Sequence, residues 1–337
     1  MRRLKDESGA TAVLLAVAIL PLIGIVALVI DVGLMQWEVR QLQNGADAAA
    51  LAIAQECADG NPCRGAIADT MALQYTGANA KDGSAAAEVE FDVVGANTVT
   101  VTASTLDESG LPRLAYIFAP ILGFDFGAFE RSATALWGSM ALDDALSLPI
   151  TISECEWVNA TDADENLKGR NFGPGFPYVF EIKTNPGVNE CTMPNSPGHY
   201  MPGGWGWLDP TGDGCEAIIS LFDVPGQPGS GPPSPDCNAN RFNYPGLLGN
   251  TFNIPIHVND GATGQGAGAR YDMLAFGAFT ITSYKLSGGI EGGPQNCPGT
   301  GNNQRCLIGY FEERVEIGNG VDVDLPDLGV TAVQLIG

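Results

Sequence analysis

The sequence predicts an α+β protein. A single N-terminal transmembrane helix continues into an extracytoplasmic helix, a small α+β domain follows, and a β-rich, disulfide-containing domain completes the chain. Three observations lead there. Residues 10–30, ATAVLLAVAILPLIGIVALVI, carry no charge. The residues after them keep a helical spacing of apolar side chains. Beyond residue 148 the chain turns glycine- and proline-rich, with short alternating runs and six of the eight cysteines.

At about 1.5 Å per residue the uncharged run spans about 30 Å, the depth of a bilayer's hydrocarbon core. Pro21 falls mid-span, where a proline kinks a membrane helix without ending it. The run is longer than the apolar region of a signal peptide, and Val29, Ile30 and Asp31 offer no small-x-small cleavage site. An uncleaved anchor is therefore expected. Its MRRLK flank places residues 1–9 in the cytoplasm as a basic tail, with the chain beyond residue 30 outside the cytoplasmic membrane.

Past the span, Met35, Val39, Leu42, Ala46, Ala49 and Ile53 recur at steps of four and three. They form one stripe of a helix, large near the membrane and small further out. The stripe either covers the core of its own domain or forms a seam through which the protein self-associates. In both cases residues 31–56 read as a rigid continuation that lifts the acidic domains off the bilayer. Cys57 and Cys63 bracket a turn-rich loop that ends this helix.

Residues 64–76 read as a second helix, and AEVEFDVVGANTVTVTAS as a hairpin turning at GAN. LPRLAYIFAPIL has helical spacing, and FGAFERSATALWG alternates like a closing strand. These segments make a small α+β domain within 31–142. In 143–337, YVFEIKT, TFNIPIHVND, FGAFTITSYKLSG and IGYFEERVEI read as strands among long loops. Cysteines 57, 63, 155, 191, 215, 237, 297 and 306 all lie on the expected outside, where disulfides form. Cys57–Cys63 and Cys297–Cys306 are the expected short bridges. Cys155, Cys191, Cys215 and Cys237 leave three pairings open.

The formal net charge is −23, and the first thirty residues carry three basic and two acidic side chains, leaving −24 for the rest. A surface this acidic excludes a phosphate-backbone partner, DNA or RNA, and does not favour anionic lipid heads. No GxSxG, HExxH, phosphate-binding loop or dinucleotide fingerprint occurs, which argues against an enzyme. His199 and His257 are the two histidines, and neither sits in a catalytic pattern. No cofactor is expected. Calcium is the one metal to consider, because Asp162, Asp164 and Asn166 place oxygens at alternate positions, though the glycine and glutamate of an EF-hand loop are missing. Trp205 and Trp207, set among glycines, would stack on a sugar if exposed and pack a core if buried.

ESGATAVLLAVAILPLIGIVALVIDVGLMQWEVRQLQNGADAAALAIA resembles the N-terminal segment of TadG-like proteins of bacterial tight-adherence (Flp) pilus-assembly systems. The resemblance is carried by SGATAV, by Asp31 and Gly33 closing the span, and by LQNGADAAALA. It is strongest over residues 8–56 and looser over 98–138 and 199–337. It implies a membrane-anchored, non-enzymatic envelope protein whose partners are other pilus-assembly or envelope proteins. Larger relatives carry a DxSxS metal motif, and Asp82-Gly83-Ser84-Ala85-Ala86 lacks its second serine. Cleaved pilins of such systems carry a glutamate at the fifth mature position, which here would be Leu14. The other classes to weigh are an anchored glycan- or calcium-binding module and an anchored hydrolase of unfamiliar type.

Overall fold

The computed structural model describes residues 8–92, 97–107, 109–143, 145–181, 205–210, 215–227, 247–263, 268–286, 290–297, 305–318 and 320–336. The chain divides into two compact units, residues 1–57, 62–136 and 335–337 in the first, 58–61 and 137–334 in the second.

The first unit opens with α1 (Ser8–Ala58), a 51-residue helix with Pro21 inside it, about 76 Å long at the standard rise. The strand of turn residues after it is closed by a Cys57–Cys63 disulfide, which reverses the chain into α2 (Ala66–Asn79). Asp69 in the first turn of α2 complements the helix dipole. Ala68, Ala72 and Thr76 form its buried face.

Strands β1 (Ala85–Phe91) and β2 (Thr98–Thr105) pair antiparallel from Ala85↔Thr105 to Phe91↔Val99. The GAN turn between them lies mostly outside the described residues. Two-residue strands β3 (Leu114–Ala115) and β4 (Phe126–Gly127) flank a 3-10 turn at Ala119–Leu122. Then β5 (Glu130–Met140) runs back along β2. Val99, Val101, Ala103, Ala133 and Ala135 alternate onto the buried face. The other face carries Thr100–Thr134 and Thr102–Ser132 hydroxyl pairs at 2.8 and 2.9 Å, the cross-strand ladder expected of paired β-hydroxyls. Ile336 joins this unit from the far end of the chain, its N–H donating to the Thr134 carbonyl at 2.9 Å.

The helix expected over LPRLAYIFAPIL is not there. Pro120 has no N–H to continue a ladder, and Gly123 stops the 3-10 turn in the left-handed region at φ 88°. The apolar spacing that suggested a helix instead serves a loop that shows several of these side chains to the outside.

The second unit contains β6 (Ala145–Ser147), β7 (Ile150–Ser153), α3 (Glu154–Thr161), β8 (Tyr178–Glu181), β9 (Trp205–Leu208), β10 (Ala217–Ile219) and β11 (Val224–Gln227). It continues with β12 (Thr251–Thr263), β13 (Arg270–Lys285), β14 (Glu291–Gly292), β15 (Cys306–Glu312), β16 (Arg314–Ile317), β17 (Val321–Asp322) and β18 (Val330–Leu335). Its main sheet runs β11-β9-β7-β12-β13-β15-β8, and β11 also pairs with β13. That extra pairing, Val224↔Tyr271 and Pro225↔Arg270, closes β11, β9, β7, β12 and β13 into a five-strand ring. The long β13 then extends beyond the ring to pair with β15.

The described residues of this unit include two apolar cores. One is aromatic: Trp157, Phe180, Phe279 and Phe311 are fully buried, with Trp157 edge-on to Phe311 at 4.6 Å between centroids. The Trp157 Nε1–H donates to the Leu167 carbonyl at 3.1 Å, so the indole pays no desolvation penalty. Gly277 makes room here, since a Cβ would sit 2.9 Å from the Phe311 ring. The second core gathers Leu208, Val224, Tyr271, Met273 and Phe276 with Val330. Cys297 and Cys306 are bonded, and Cys155 and Cys215 are also oxidised. Cys191 and Cys237 lie outside the described residues.

Candidate functional site

The N-terminal helix passes through two environments. From Val13 to Ile30 its described large apolar side chains are exposed, Leu14 at 69% and Leu22 at 59% among them. Nothing among the described residues covers them. The helix is long and apolar enough to cross a membrane, with mean hydropathy 3.2 over its most apolar window.

The change of environment comes at Asp31, which is 6% exposed. Its Oδ1 accepts from the Ile117 N–H at 2.9 Å, and its Oδ2 from Phe118 at 3.0 Å and Ala119 at 2.6 Å. These three successive N–H groups lead into the 3-10 turn, where no intrahelical acceptor exists for them. A carboxylate from another element thus caps the turn, and charge-assisted bonds to backbone donors are the strong kind. No local signal announces this, because the partners are 86 to 88 positions apart.

Replacing Asp31 by alanine should leave those amides without acceptors at a cost of about 2–3 kcal/mol. Hydrogen exchange at Ile117–Ala119, measured on the detergent-solubilised chain, should accelerate by about 30- to 100-fold at that cost. Unchanged exchange there would mean that the carboxylate does not hold the turn.

Beyond Asp31 the helix is built into the first unit. Met35 and Val39 are half-buried, while Leu42, Ala46, Ala49 and Ile53 are buried, widened by Ala50 and Ala54. The small residues admit a close neighbour. At Gly45 an added Cβ would lie 3.0 Å from Thr76 Cα, so α2 approaches backbone to backbone. Gln41 accepts from the Lys81 N–H, and Gln43 donates to Asp47 one turn on. Burial pushes the Glu38 carboxyl above its ordinary value, opposed by a hydrogen bond to the Thr105 side chain and aided by the Asp82 charge. From Asp31 onward one face of the helix is thus packed against the unit it belongs to.

The other sequence candidates separate. Asp162 ends α3 in the left-handed region and pairs with Arg170 at 3.3 Å. Asp164 Oδ1 accepts from the Asn166 and Lys168 N–H groups at 2.9 and 3.1 Å. These carboxylates are occupied by turn backbone and a cation. Among the described residues no group of three or more histidine, cysteine or acidic side chains could hold a metal ion. Trp207 is 2% exposed and packs in the core, out of reach of a sugar. His199 lies outside the described residues. His257 is buried in the closed ring, where β12 shifts register against β13. Thr151 Oγ1 donates to the Pro255 carbonyl at 2.9 Å and lies 3.0 Å from His257 Nδ1. With its one proton so used, the hydroxyl accepts from Nδ1–H, which fixes the neutral tautomer. Tyr271, whose ring centroid is 5.0 Å away, is pushed up to about 12 by burial. This is a packed polar pair within a core.

The one element matched outside the molecule itself is the helix. Residues 9–56 match the Tad family model, described as Flp pilus-assembly TadE/G-like, so this N-terminal segment is similar to that family. No curated protein matches the chain, and no solved structure does either.

Proposed function

We propose that this protein is a membrane-anchored, non-enzymatic component of the cell envelope that serves the assembly of an Flp-type pilus or a related surface structure. The observation that carries this reading is the coincidence of the Tad-type segment, residues 9–56, with a helix that is exposed and apolar up to Ile30 and built into a folded unit from Asp31. An element that only needed to fold would not leave twelve large apolar side chains between Val13 and Ile30 exposed, and one that only needed to target the chain would not supply a domain's core.

In this reading residues 1–9 stay in the cytoplasm, 10–30 span the cytoplasmic membrane uncleaved, and the acidic bulk faces outwards. Residues 31–142 and 143–337 act as two extracytoplasmic domains that present surfaces to other envelope or pilus-assembly proteins. The basic residues Arg2, Arg3 and Lys5 before the span set that orientation.

The test is genetic and topological. Reporter fusions after residue 60 should be active only when exported, and the mature chain should keep its first residues. Deleting the gene should abolish piliation, with the intact chain restoring it. Normal pili in the deletion strain would exclude the assembly role, and a mature N-terminus near residue 31 would exclude the anchor.

A further inference from the structure

We propose that the loop of residues 111–126 is a second, shallow membrane contact, seated in the headgroup layer of the outer leaflet beside the point where α1 emerges. This inference rests on the membrane-anchored reading of α1.

The loop's position is fixed by Asp31. That residue directly follows the last apolar position of the span, and it holds Ile117, Phe118 and Ala119 by their backbone N–H groups. Those residues are therefore level with the end of the hydrocarbon core. The loop's surface is apolar where a soluble loop's would be polar: Ile121 is 82% exposed, Phe124 66%, Ile117 60% and Phe126 52%. No charge occurs from Leu114 to Phe124. Aromatic and aliphatic side chains at the edge of a span are the composition of an interfacial anchor.

The loop is also held in shape. β3 and β4 pair at its neck, Leu114↔Gly127 and Ala115↔Phe126. Inside it Tyr116 N–H donates to Asp125, and Phe124 N–H to Ala119. Arg113 covers the Phe126 ring at 4.5 Å while paired with Asp107 at 2.6 Å. With Arg113 already engaged and the chain strongly acidic beyond, the loop's affinity comes from apolar area. Zwitterionic lipid is therefore sufficient.

The experiment uses the full chain in phosphatidylcholine vesicles, with tryptophan introduced singly and emission read as the increment over the parent's five tryptophans. Ile121→Trp should lose emission more strongly to lipid brominated near the headgroup than to lipid brominated deep in the chain. Leu22→Trp, mid-span, should show the reverse order. Ile67→Trp, on α2 close to the Cys57–Cys63 bridge and so roughly 40 Å further along α1 than Asp31, should lose none. Phe124→Trp reads the same loop face should Ile121→Trp fail to fold. Loss at Leu22 without loss at either loop position overturns the proposal and leaves the anchor standing, the loop then being a surface for another protein. No loss at Leu22 overturns the anchor and the loop contact together.

Discussion

Replacing Ala46 by phenylalanine should destabilise the first unit by about 3 kcal/mol, because the site is fully buried on a helix that meets α2 closely one residue away, at Gly45 and Thr76. For a unit of this size the melting temperature should fall by roughly 10 °C. Gln55, exposed on the same helix, is the control: Gln55→Ala should stay within about 0.5 kcal/mol of the parent. Thermal unfolding of the detergent-solubilised chain, followed by circular dichroism, distinguishes them. Parental melting of Ala46→Phe would show that α2 can move away at no cost. The small-residue stripe would then be available to a second subunit.

Acid should weaken the second unit through His257. Burial lowers this imidazole from 6.5 to about 3. Between those values the unfolded chain binds a proton that the folded one refuses, so stability falls as pH falls. The contribution is complete above about pH 6.5 and is lost at about 1.4 kcal/mol per pH unit below it. Denaturant midpoints at pH 7.5 and 5.0 should differ by about 2 kcal/mol from this group alone. His257→Asn keeps a donor near the position of Nδ1 without a titrating ring, and its profile should be flatter by that amount. Equal slopes for parent and variant would mean that the ring reaches water before the unit unfolds.

What could be read in the sequence was local. The α1 stripe shows in its spacing because helical periodicity acts over one turn at a time. The cysteines joined over short loops, 57 with 63 and 297 with 306, sit in segments too short to separate their ends. The alternating runs of the second half became β12, β13 and β15. The long-range failures share a cause. Asp31 bonds a turn 86 positions away, and the closed ring depends on β11 meeting β13, which no neighbouring residues encode. LPRLAYIFAPIL failed differently: its apolar spacing was real, but it served an exposed surface rather than a helix face. The helix α3 was missed although its signal was present. Ser153 caps it by accepting from the Glu156 N–H at 3.2 Å, and Ser-x-x-Glu is the capping-box pattern.

The bond between Ile336 and Thr134 makes the first unit depend on residues far along the chain. Roughly 200 residues separate the partners, a long-range closure that slows folding. The segment 335–337 that joins the first unit is synthesised only after residues 137–334, which belong to the second. Until residue 336 is in place, the Thr134 carbonyl lacks this donor. The unit that starts first therefore cannot be finished before the other has been made.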